Sequence, residues 1–178
     1  MKKALPKADL IFTIGHSTRE IEDFLLLLKE HDIKLLVDVR TIPKSRHNPQ
    51  FNSEAIEKAL REKGLDYVHM KGLGGLRHPK KDSPNTAWRT PSFRGYADFM
   101  QTDDFRENLE KLIVLAGKQQ TVIMCAEAVP WRCHRSLIGD ALLVRGIRVA
   151  HIISKDSLRD HTLTPWAKVD GLSITYPA

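Results

Sequence analysis

Cysteine is scarce: the 178 residues hold two, Cys125 and Cys133. Two in a chain this long make no disulfide framework, so both read as free thiols in a reducing cytoplasm. Long apolar runs are also missing. The N-terminal run LIFTIG is short and is broken by Thr13, Gly15 and His16. That excludes a transmembrane helix, makes a poor signal peptide and leaves no reason to expect a membrane partner. No G-x-G-x-x-G and no Walker-type loop occurs, which argues against a dinucleotide fold or a P-loop. Acidic residues are in the minority, 22 against 28 Lys and Arg, for a formal charge of +6. Such an excess favours phosphates, nucleotides or nucleic acid as partners, and speaks to association rather than to fold.

What is present is a chain that is 42% hydrophobic, enough for one domain with a substantial core over residues 1–178. Residues 1–9 read as a loose tail and 154–178 as a C-terminal extension packing on the domain. LIFTIG, KLLVDVR, LDYVHM, TVIMC and IRVAHII read as buried strands. Between them, STREIEDFLLLLKEH, SEAIEKALREKG, TDDFRENLEKLIVLAG and HRSLIGDALLVRG carry helical spacing. Ser17 and Glu20 have capping-box spacing, Thr102 suits an N-cap, and Gly64, Gly117 and Gly146 suit helix stops. Strands alternating with helices predict a three-layer α/β domain with a mostly parallel, about five-stranded sheet. Right-handed crossovers from a central first strand give the order 3-2-1-4-5. Ligands of such sheets bind past the strand carboxyl ends at the topological switch, here between the first and fourth strands. AKVDGLSITY predicts a hairpin turning on Asp170 and Gly171. Lys71 to Gln101 lacks a sustained period apart from a short helix near Gly95 to Met100. An irregular insertion of this length is expected to lie over the site as a partial lid, with Arg94 or Tyr96 pointing inward.

TIGHSTR, LLVDVRTIP, HNPQFN, FRGYADFM and CAEAVPWRCHRSLI occur in this order. By these motifs, from about Leu10 into the C-terminal tail, the chain resembles the family catalogued as domain of unknown function 488. The resemblance implies that the residues in these motifs are the family's hallmark, and it lends neither mechanism nor substrate. The Cys125 turn is similar in layout alone to rhodaneses and cysteine phosphatases, where a thiolate sits in an anion-binding loop between strand and helix. The spacing departs from the phosphatases: six residues, not five, separate Cys125 from Arg132, and nine separate it from Arg135.

The chemistry concentrates between Cys125 and Arg135. Cys125 ends a strand before a turn into a helix, where backbone amides and the helix dipole favour a thiolate. It reads either as a nucleophile or as an inert thiol ending a core strand. Glu127 is a candidate general acid or base, or an ion-pair partner of Arg132 or Arg135. His16, past the first strand, is a candidate proton carrier. Arg40, Arg132, His134 and Arg135 form a candidate anion clamp. Asp38 either orients His16 or, as expected, pairs with Arg40. Arg46, Asn48, Arg94 and Tyr96, on loops mixing basic and aromatic residues, are candidates for contacting phosphate and base. Nearby arginines disfavour a metal, and neither a metal nor a cofactor is called for. Three functions stay open. The first is an enzyme, a cysteine-dependent hydrolase or transferase, acting on a phosphate-bearing nucleotide or nucleic-acid component. The second is a non-catalytic nucleic-acid-binding module, and the third a persulfide-carrying sulfurtransferase.

Overall fold

The computed structural model describes residues 8–178. Most of the loose tail read for 1–9 lies outside them, but Ala8 is packed into the core at 4% exposure. Five parallel strands form the body of one sheet: β1 (Leu10–Gly15), β2 (Leu35–Asp38), β3 (Asp66–His69), β4 (Thr121–Cys125) and β5 (Arg148–Ser154). β6 (Ser157–Asp160) adds an antiparallel edge to β5. Sequence pattern missed β6, because all four of its residues are exposed and it has no apolar face to register. Short, charged strands of this kind keep an edge from pairing with other chains.

The strand order is β3-β2-β4-β1-β5-β6, which corrects the expected 3-2-1-4-5. β4 sits between β2 and β1. Its five residues, TVIMC, are all buried, as a central parallel strand requires. The connection from β1 to β2 leaves a slot that β4 fills later in the chain. β1 and β4 are nonetheless neighbours, with Gly15 opposite Cys125, so the expected switch point survives the correction.

Among the described residues, five α-helices cover the sheet: α1 (Ile21–Glu30), α2 (Ser53–Glu62), α3 (Pro91–Phe99), α4 (Asp103–Ala116) and α5 (Arg135–Leu143). The period of two along the strands sorts their side chains. Phe12, Ile14, Leu36, Val122 and Met124 pack with Phe24, Leu28, Ile56 and Leu60 of α1 and α2. Ile11, Val37, Ile123 and Cys125 face Tyr96, Leu109, Leu137 and Ile138 of α3, α4 and α5. Thr102 caps α4 by accepting from the Phe105 amide. Ser17 does not cap α1, which begins at Ile21. Ser17 sits instead in a left-handed turn at φ 48°, because its amide and that of His16 continue the ladder onto Ala126 and Cys125 carbonyls.

The 71–101 segment is held by a buried carboxylate. Asp98 accepts from the Lys80 amide, the Ser83 hydroxyl and the Asn85 side chain, which explains how a stretch without apolar period is fixed. Its helix starts at Pro91, earlier than expected, with proline at the position that needs no amide partner. β7 (Lys168–Asp170) and β8 (Ser173–Thr175) form the expected hairpin. No helix among the described residues is long and apolar enough to cross a membrane.

Candidate functional site

The site forms where β1, β2 and β4 end. Gly15 permits it: a Cβ there would stand 1.7 Å from the Glu127 carbonyl oxygen. Without a side chain, the turn after β4 folds back across the end of β1. That turn leads into α5, whose first residue, Arg135, is fully buried. Its guanidinium reaches back under the turn. Nε donates to Cys125 Sγ at 2.9 Å, Nη1 to Thr13 Oγ1 at 3.0 Å and Nη2 to the Glu127 carbonyl at 2.6 Å.

Both sulfurs are buried, yet both line a cleft of about 380 Å³. The two thiols influence each other's ionisation. Burial pushes both thiols up. For Cys133 that push is overcome by its interactions with Cys125, His134 and Arg135, so it lies well below the usual thiol range. Cys125 is left well above it. Of the two, Cys133 is the one its surroundings favour as the thiolate. The amide of Arg135, at the start of α5, donates to Cys133 Sγ at 3.5 Å. When Cys133 ionises, its sulfur is the anion that this helix N-terminus receives.

His134 completes the arrangement. Its Nε2 lies 2.9 Å from the Val39 carbonyl, which can only accept, so Nε2 carries the proton. Nδ1 is then free to face Cys133 Sγ, 3.5 Å away. A base beside a thiol, oriented by a third group, is the layout of an activated nucleophile. A Cβ on Gly75 would stand 2.6 Å from Nδ1, so glycine there lets the following segment close over the imidazole.

At the end of β2, Asp38 pairs with Arg40, as expected. Arg40 Nε and Nη2 reach the two carboxylate oxygens at 2.9 and 2.7 Å, and Tyr67 adds a third bond at 2.7 Å. His16 donates from Nδ1 to the Ser17 carbonyl at 2.8 Å, accepts at Nε2 from Arg40 at 3.3 Å and stacks on Phe51. Burial foremost holds its pKa below the usual 6.5. Its ring is neutral with both nitrogens engaged, so it props Arg40.

His16, Arg40, Cys125, Glu127, Arg132 and His134 thus border one cleft. Other candidates lie elsewhere. Arg135 is turned onto the sulfurs behind the cleft floor. Arg46 is exposed on the loop after β2, and the amide of Asn48 is tied to Ser45 Oγ; neither lines the cleft. Arg94 donates to the Trp88 carbonyl, and Tyr96 is buried with its hydroxyl on the Leu73 carbonyl. The 71–101 segment does reach the cleft, through Gly75, Leu76, Ser92 and Phe93, so these replace Arg94 and Tyr96 as its inward residues. Lys44 was missed, though it stands in the same basic loop as Arg46. Among the described residues, Lys44, Arg132 and Glu127 form no ion pair. Arg40 is matched by Asp38, and Arg135 is spent on Cys125, Thr13 and the Glu127 carbonyl, which leaves Lys44, Arg132 and Glu127 as the charged groups without a partner along the cleft.

Comparison with known families settles the resemblance. The family model described as domain of unknown function DUF488 matches residues 20–142. The chain belongs to that family. The matched span runs from just before α1 to the end of α5, so this DUF488 segment holds Arg40, both cysteines and His134. No curated protein and no solved structure matches the chain.

Proposed function

We propose that this DUF488 protein is an enzyme that uses the thiolate of the Cys125–Cys133 pair on a phosphate-bearing ligand, such as a nucleotide or nucleic-acid component. The observation that carries the reading is the pair itself: two thiols lining one cleft, with an oriented imidazole beside one and a buried guanidinium on the other. A structural pair has no need of an open cleft above it. His134 Nδ1 takes the Cys133 proton, and the sulfur bonds to an electrophilic centre of the ligand as that centre's bond to its leaving group breaks, the electron pair going with the leaving group. Arg135 keeps the remaining thiol and the thiolate fixed during attack. Lys44 and Arg132 at the rim bind the phosphate, and Glu127 beside them is placed to exchange a proton with the leaving group. Leu76 and Phe93 supply an apolar wall for a base or sugar.

The test is intact mass after incubation with mononucleotides and short oligonucleotides. A covalent adduct, or product release abolished by Cys133→Ser and slowed by His134→Ala, supports the reading. Salt-sensitive binding without adduct or product, unchanged by Cys133→Ser, makes the chain a binding module instead.

A further inference from the structure

All three tryptophans of the chain, Trp88, Trp131 and Trp166, line one second cleft of about 240 Å³. Trp131 is 53% exposed and Trp166 46%, so these indoles are not core anchors. Arg159 lays its guanidinium over the Trp131 ring at 5.2 Å. Trp88 meets Trp166 edge-on at 5.2 Å. The indole N–H of Trp88 is shut off from solvent and has no protein partner.

The floor of this cleft is rigid. His161 Nε2 donates to Asp140, His151 Nε2 to His161 Nδ1, and Thr13 Oγ1 to His151 Nδ1. The directions follow from the ends of the chain, because Arg135 can only donate to Thr13 and the Asp140 carboxylate accepts. Tyr176 and the Thr164 amide add to Asp140. Every polar group of this network is engaged, so the floor offers orientation and the indoles offer contact surface.

The two clefts share their walls. The turn Pro130–Arg132 sends Trp131 into the second cleft and Arg132 into the thiol cleft. Trp88, in the second, stacks on Phe93, in the first, at 4.9 Å and 20°. We propose that the tryptophan cleft is a nucleobase-stacking subsite for the nucleotide next to the one held over the thiols, so that the substrate class is single-stranded nucleic acid rather than a free mononucleotide. Flat rings beside a guanidinium stack on any base, and it is the three indoles and Arg159 that set this cleft apart. This inference rests on the phosphate-ligand reading above.

The test compares adenosine 5′-monophosphate with the dinucleotide pApA by two readouts, quenching of the indoles and protection of the thiols from alkylation. The dinucleotide is expected to act by both at about 10-fold lower concentration than the mononucleotide, a typical gain from one stacked base. Trp131→Ala and Trp166→Ala, both surface changes, should each remove about that gain. The subsite is overturned if pApA protects the thiols no better than the monophosphate, or if neither tryptophan change weakens it. Quenching by glucose but not by pApA would overturn it as well. If neither nucleotide protects the thiols while pApA still quenches in a Trp131-dependent way, the subsite stands and the thiol reading fails.

Discussion

Arg135 carries a full charge into the interior and is held there by sulfur, hydroxyl and carbonyl partners. Removing one partner of a buried charged set costs about 3–5 kcal/mol. Arg135→Ala should therefore lower the melting temperature by roughly 10 °C in a chain of this length. Arg135→Lys should recover only part, because an ammonium lacks the fork that serves three partners at once. Equal melting temperatures for all three proteins would show that the guanidinium is not a keystone. His151 gives a second residue-scale outcome. Burial foremost, with the charges of His161, Arg135 and Arg159, depresses its pKa to about 3. A lowered imidazole pKa means that the unfolded chain takes up the proton first. The stability His151 contributes is thus complete above pH 6.5, declines below it and is lost near pH 3. Urea midpoints at pH 7, 5.5 and 4.5 should fall, and His151→Asn, which cannot take the proton, should fall less steeply over the same range.

The element that carries the site is the β4 strand, its turn and α5. Sequence located it because a buried strand, a reactive turn and an apolar helix follow each other within 23 residues there. What each side chain does was less legible. Arg132 and Arg135 look equivalent in sequence, but one is exposed at the cleft rim and the other is sealed behind the sulfurs. Burial decides between them, and it depends on how the turn folds over Gly15, a tertiary contact. His134 could be read only as an anion ligand until the Val39 carbonyl, 95 residues away, fixed its tautomer. On the proposed function, the clamp is Lys44 and Arg132. The double change Lys44→Ala plus Arg132→Ala should weaken binding of a phosphorylated ligand by about 10-fold at low salt, and much less at 0.5 M salt. Both side chains are exposed and unpaired, so stability should shift by less than about 0.5 kcal/mol. Titration calorimetry paired with thermal melts checks both parts, and undiminished phosphate binding would place the anion elsewhere.

At the scale of the whole molecule, alternation of strands and helices was enough for the α/β class, and the strand order was not. Adjacency rules follow the chain, whereas β4 takes its place by being apolar along its whole length. The switch between β1 and β4 was legible all the same, because the site needs only that these two ends meet. Trp88 and Trp131 could be read from the sequence as sharing a cleft with the reactive turn, but a separate cleft that also holds Trp166 was not legible, since the three stand 78 residues apart from first to last and no pattern joins them. Two clefts sharing the walls of one reactive turn suit a ligand longer than one nucleotide. The account turns on the sulfur pair, and its most direct measurement is the rate of iodoacetamide alkylation of the folded chain against pH, with mass mapping of the modified residue. The account predicts one equivalent per chain, reacting fastest at Cys133, with a midpoint below the ordinary thiol value of about 8.5 that rises in His134→Ala. A folded chain that resists alkylation at neutral pH while its unfolded form takes two equivalents would contradict it.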